Sequence, residues 1–166
     1  PLAGDPNFVR LFTLFSNPVL GLIAGALLTA ILQSSSASIG VLQALSVTGA
    51  VTLSSAIPIL LGQNIGSCVT ALIASIGANK NARRAALTHL YFNLFGAIVV
   101  ILIFLPVKAF IQPAFLNNPI NAVDIAVFHT AYNLFATALM MPLRGQLLKA
   151  VMRTVRDDGK KSEKVC

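Results

Sequence analysis

The chain has 166 residues, of which 56% are hydrophobic and 10% charged, with a net charge of +7. A soluble domain carries about 25% charged residues, so this composition excludes an ordinary water-facing globule. It also excludes a nucleic-acid binder: the cations flank apolar runs, and no basic patch is interleaved with aromatics.

In chain order, residues 6–16 place Phe8, Leu11, Phe12 and Phe15 on one helical face and Arg10 on another, the pattern of a helix lying in the membrane interface. No Asp, Glu, Lys or Arg occurs from Leu11 to Asn79. Asn17-Pro18 opens an apolar stretch, Val19 to Leu32, that is too short to cross a bilayer upright, since a span needs about 20 residues. It ends in Gln33-Ser34-Ser35-Ser36, and a second apolar piece follows, so 19–47 is predicted to be a broken or re-entrant helix pair. The design recurs over 52–77, where Gly62-Gln63-Asn64-Ile65-Gly66-Ser67 is expected to interrupt two further short helices. Lys80, Arg83 and Arg84 then form a basic loop. Two charge-free runs give ordinary spans at 85–105 and 125–141, separated by a nearly neutral loop. Residues 146–166 form a basic tail. The positive-inside rule places the 80–84 loop and this tail in the cytoplasm, and the 108–124 loop outside. The fold class is therefore an all-α integral membrane protein built from broken helix pairs and full transmembrane helices. Cys68 and Cys166 suggest no disulfide framework. The chain begins on Pro1 and reads as a fragment, or as a processed or split product.

Polar groups unsatisfied in lipid cost several kcal/mol, so Gln33, Ser34, Ser35 and Ser36 must face protein, water or a ligand. Serine hydroxyls can donate to phosphate oxygens, and the same oxygens or the Gln33 carbonyl can hold Na⁺. A helix starting near Ser35 would add free N–H groups and a positive dipole end. Packing of helices through small residues is the competing structural reading. Around the second motif, Gly62 and Gly66 permit a backbone break. Asn64, Ser67 and Thr70 offer hard oxygen ligands suited to a small cation. A kinked helix packed through its glycines is the alternative. His89-x-x-Phe92-Asn93 and His129-x-x-Tyr132-Asn133 echo each other about forty residues apart, and these His and Asn residues read as structural hydrogen-bonding groups. No enzyme is indicated: no carboxylate lies in an apolar segment, and no triad, metal-ligand spacing or P-loop occurs.

Gln33-Ser34-Ser35-Ser36-Ala37, Gly62-Gln63-Asn64-Ile65-Gly66, Ala82-Arg83-Arg84-Ala85-Ala86 with His89 and Phe92-Asn93, and His129-Thr130 with Asn133 resemble the type II sodium/phosphate cotransporter family. The resemblance covers roughly residues 1–145. It implies one unit of an inverted-repeat transporter, the second of two, in a bacterial member of the plasma (inner) membrane. It implies symport of inorganic phosphate with Na⁺ as coupling ion and no organic cofactor. Gln33 to Ser36 would bind phosphate, and Gln33, Ser34, Asn64, Ser67 and Thr70 would bind Na⁺. The other QSSS repeat, or a second copy in a homodimer, would complete the pathway. A carrier for another oxyanion or solute, and a membrane scaffold or assembly subunit that transports nothing, are the rival functions.

Overall fold

The computed structural model describes residues 14–156. The interfacial helix expected over 6–16 falls almost wholly outside that range, as does the end of the tail.

All but one of the six α-helices described start where a polar side chain takes up free N–H groups of the first turn. Helix α1 (Pro18–Leu32) has Asn17 as its cap, whose side chain accepts from the N–H groups of Val19 and Leu20, with Pro18 in the first turn. It stops at Gln33, which adopts a left-handed conformation (φ 53°, ψ 22°). Ser34 caps α2 (Ser35–Ser46) by accepting from Ala37 N at 3.2 Å. Thr52 and Ser55 form a reciprocal capping box for α3 (Leu53–Gly66), and α4 (Cys68–Ala74) follows after one turn residue. Asn79 caps α5 (Lys80–Pro106), which ends in a π-turn, Val107–Ile111. After a short 3-10 turn at Ala114–Asn117, Asn121 and Asp124 cap each other at the start of α6 (Ala122–Thr154). No strand forms among the described residues; one isolated bridge joins Thr52 to Pro119.

Among the described residues, three stretches are long and apolar enough to cross a membrane: Leu53–Ala74, Lys80–Ile111 and Ala122–Thr154. Side chains such as Leu27, Ile31, Leu102 and Leu134 stand exposed on the outside of the bundle, where lipid rather than water suits them. The protein is a multi-pass, all-α membrane protein. Two contacts fix the sense of the α1–α2 hairpin. At its entry, Lys108 Nζ donates to the carbonyl of Ser16. Near its exit, Gln43 Nε2 donates to the carbonyl of Ala122 at 3.0 Å. Both outer ends therefore lie at the 108–122 end of the bundle, and the tip at Gln33–Ser34 points inward. At the opposite end, the Arg84 guanidinium donates through Nε and Nη2 to the carbonyl of Val155 at 3.2 and 3.0 Å, which brings the basic loop and the end of α6 together.

Helix α6 cannot be straight. Tyr132 donates to the Asn93 carbonyl at 3.5 Å, and Thr154 shares a 2.9 Å hydrogen bond with Tyr91. Along a straight helix residues 132 and 154 would stand about 33 Å apart, yet they meet α5 only two residues apart. Pro142, inside α6, lacks the N–H for the ladder and crowds the preceding turn, and it accounts for the bend.

Two sequence expectations need correction. The break does not fall at Gly62–Gly66, because α3 stays helical through Gly66. The only discontinuity is Ser67, itself at helical angles (φ −62°, ψ −22°). The glycines serve the close crossing of α1 and α3 instead. A Cβ on Gly62 would lie 2.0 Å from the Leu22 carbonyl oxygen, and one on Gly25 2.0 Å from that of Ile59. The pattern Gly21-x-x-x-Gly25 on α1 faces Gly62-x-x-x-Gly66 on α3, so backbone meets backbone without side chains between them. The second correction concerns the tail: residues 146–154 continue α6 as helix, because nothing after Pro142 interrupts the ladder.

Gly62→Ala is expected to destabilise the protein by about 1–3 kcal/mol, the usual range for forced overpacking. Gly40→Ala, with no atom near the added methyl, is expected to be neutral or stabilising by up to about 1 kcal/mol. Thermal unfolding in detergent micelles distinguishes the two.

Candidate functional site

The crossing of α1 and α3 carries the α1–α2 break to the lower part of α3. A buried polar relay fastens it there. Thr29 donates to Ser38 Oγ at 2.8 Å, and Gln63 Nε2 donates to the Ser38 carbonyl at 2.9 Å. All three residues are fully buried. The relay joins α1, α2 and α3 through protein atoms alone, so the tip has a fixed place. Gln63 Oε1 is sealed without a hydrogen-bond partner, a strained note in an otherwise satisfied interior.

A cavity of about 520 Å³ opens at this tip. Its walls are Gln33, Ser34 and Ser35 from the break, Asn64 from α3, Ser67 between α3 and α4, and Thr70 from α4. His89, Phe92 and Asn93 of α5 and His129 and Asn133 of α6 complete it. Of the site residues named from sequence, the structure brings together all four QSSS members except Ser36, along with Asn64, Ser67 and Thr70. Ser36 is exposed and lies off the cavity. Gly62 and Gly66 belong to the helix crossing and not to the cavity wall.

The local chemistry follows from the break. A helix leaves its first N–H groups without intrahelical partners. In α2, the Ser34 hydroxyl takes the N–H of Ala37 and the Ser34 carbonyl takes that of Ser38 at 3.0 Å. The N–H groups of Ser35 and Ser36 remain, at the positive end of the α2 dipole. Holding Gln33 at positive φ costs on the order of 1 kcal/mol or more for a non-glycine residue. The N–H of Gln33 closes α1 by donating to the Thr29 carbonyl at 2.7 Å. The cavity wall carries no Lys, Arg, Asp or Glu. It therefore offers hydroxyls, amides and imidazoles, with no permanently charged group to balance an incoming ion.

The structure adds His89, Phe92, Asn93, His129 and Asn133 to the cavity wall, and sequence reasoning treated the His and Asn residues among them as structural. The echo between the two His-x-x-aromatic-Asn stretches was the signal that could have found them. In both helices the Asn amide donates to the carbonyl of the His four residues earlier, at 3.1 Å for Asn93 and 2.8 Å for Asn133. Cys68 is fully buried and acts as a hydrogen-bonding spacer: Asn93 Nδ2 lies 3.4 Å from its Sγ.

A sequence model of the family described as Na⁺/Pi-cotransporter matches residues 2–122. The chain belongs to this family. Among curated relatives, an uncharacterized protein of Bacillus subtilis, YqeW, is 34% identical over 122 residues, covering 74% of this chain and 39% of the relative. Sodium-dependent phosphate transport protein 2A of Rattus norvegicus is 39% identical over 94 residues, 53% of this chain and 15% of the relative. Sodium-dependent phosphate transport protein 2B of Homo sapiens is 36% identical over 95 residues, 54% of this chain and 14% of the relative. The chain thus spans well under half the length of these relatives. No solved structure matches. The family match takes in α1 to α5 and stops at the first residue of α6. It contains the break, the crossing and the α5 wall of the cavity, while His129 and Asn133 lie beyond it.

Thr29→Val keeps the shape of the side chain but strands the Ser38 hydroxyl in a buried place. The expected loss is about 1–3 kcal/mol, the cost of an unsatisfied buried polar group. Denaturant unfolding in micelles measures it.

Proposed function

We propose that this chain is one repeat of a sodium-coupled symporter of inorganic phosphate. The observation that carries the reading is the meeting of two unlike ends in one uncharged cavity. The free N–H groups and hydroxyls at the start of α2 suit an oxyanion. The oxygens of Asn64, Ser67 and Thr70, with Gln33 and Ser34, suit Na⁺. Phosphate brought alone into a wall without cations would leave buried charge uncompensated, which is costly in a low-dielectric site. Na⁺ bound beside it removes that cost, and this is the physical basis for coupling. The names of the rat and human relatives, sodium-dependent phosphate transport proteins, point the same way.

In this reading the α1–α2 hairpin is one face of the pathway, and α5 and α6 are the surface against which access alternates. The other face comes from a second QSSS repeat or a second copy of this unit. The protein sits in the bacterial inner membrane with the Arg84–Val155 end in the cytoplasm, where the positive charge is gathered. Its work is transport and not catalysis.

Vesicles containing the intact protein are expected to take up labelled phosphate with Na⁺ and to stop when choline replaces Na⁺; uptake indifferent to Na⁺ would refute coupling. Ser35→Ala and Asn64→Ala are each expected to weaken transport by about 10-fold or more. That is the value of one hydrogen bond to a charged group, about 1.5–3 kcal/mol. Both variants should remain in the membrane at normal levels, as read by immunoblotting.

A further inference from the structure

Three asparagines on three different helices line the cavity, and all three are held in the same way. Asn64 Nδ2 donates to the Leu60 carbonyl at 2.9 Å, Asn93 Nδ2 to that of His89 at 3.1 Å, and Asn133 Nδ2 to that of His129 at 2.8 Å. A backbone carbonyl can only accept, so the amide nitrogen, not the oxygen, must face it. The second N–H of Asn93 is directed at Cys68 Sγ, and that of Asn133 meets His129 Nε2 at 3.1 Å. The nitrogen side of each amide is therefore committed to its own surroundings. The oxygen side is not: none of the three Oδ1 atoms accepts a hydrogen bond from a described residue. Asn64 and Asn93 are more than nine-tenths buried, at 7% and 4% exposure. The one sealed and unpartnered side-chain atom among the described residues is Gln63 Oε1, so the three Oδ1 atoms keep accessible surface, and all three asparagines line the cavity, whose wall carries no Lys, Arg, Asp or Glu.

We propose that Oδ1 of Asn93 and Oδ1 of Asn133, together with that of Asn64, bind a sodium ion that ties α5 and α6 to α3. This rests on the reading of the chain as a sodium-coupled phosphate carrier and adds ligands from α5 and α6, to which that reading assigned none. Oriented amide oxygens held by fixed hydrogen bonds are hard, neutral ligands that lose little freedom on binding a cation. They repel an oxyanion, so these oxygens favour a cation over an anion in a cavity that the start of α2 also lines. The arrangement also gives the ion a mechanical consequence. Its ligands come from the helix packed against the hairpin and from the two long helices beyond it, so occupancy of the site opposes separation of those parts.

The test is sodium binding by the intact protein without phosphate. It is followed as Na⁺-dependent thermal stabilisation at constant ionic strength, with choline as the replacement. Asn93→Ala and Asn133→Ala are each expected to raise the half-saturating Na⁺ concentration by about 10-fold or more. Ser75→Ala, at the end of α4 and away from the cavity, is expected to leave it unchanged. Unchanged sodium dependence in both asparagine variants overturns the proposal, and so does a loss confined to phosphate binding. If the unaltered protein responds to neither Na⁺ nor phosphate, the carrier reading falls and the proposal with it. Asn133 is only half-buried, so its variant decides the matter should Asn93→Ala fail to fold, with circular dichroism confirming the helical content of each.

Discussion

Everything at the cavity depends on how closely α1 and α3 approach. Gly21 and Gly25 on one helix, and Gly62 and Gly66 on the other, let backbone lie against backbone; an added Cβ at Gly25 or Gly62 would stand 2.0 Å from a carbonyl oxygen. In lipid there is no hydrophobic drive to bring two helices together, so close packing and interhelical hydrogen bonds must do it. The Thr29–Ser38–Gln63 relay supplies the hydrogen bonds at the lower end of the same crossing. With α1 held this tightly, the break four residues beyond Thr29 has one place to be. That place is beside Asn64 and Ser67.

The same constraint explains why the break can exist. Irregular backbone is tolerated at membrane depth only where protein or a water-filled cavity receives its polar groups. Gln33 closes α1 by donating to the Thr29 carbonyl, Ser34 caps α2, and Gln33, Ser34 and Ser35 line the cavity. The cavity wall carries no Lys, Arg, Asp or Glu, and its polar groups are hydroxyls, amides and imidazoles.

Much of this was legible in the residues. Charge-free runs marked the membrane segments, and the QSSS stretch placed a break where α1 indeed ends. Asn64, Ser67 and Thr70 drew notice because polar oxygens in apolar surroundings need a partner. Three features were not legible. The glycines of GQNIG read as a break because glycine permits one, but glycine equally permits close approach, and only a facing helix with its own glycines decides between them. The His and Asn residues of α5 and α6 looked like isolated boundary groups because sequence does not say which face of a long helix turns toward the site. The extension of α6 to Thr154 was hidden because basic residues end an apolar run without ending a helix.

The sequence by itself determined the solvent, the sign of charge at one end, and the family, since these follow from composition and from motifs that are local in the chain. The tertiary structure alone decided that α1 and α2 enter and leave by one end, that the GQNIG glycines join helices, and that three asparagines from α3, α5 and α6 share one cavity. Each of these is a relation between segments far apart in the chain. Hydrogen-bond geometry adds the last step: a locked amide nitrogen leaves only its oxygen to face the cavity, and no residue name can show which way an amide points.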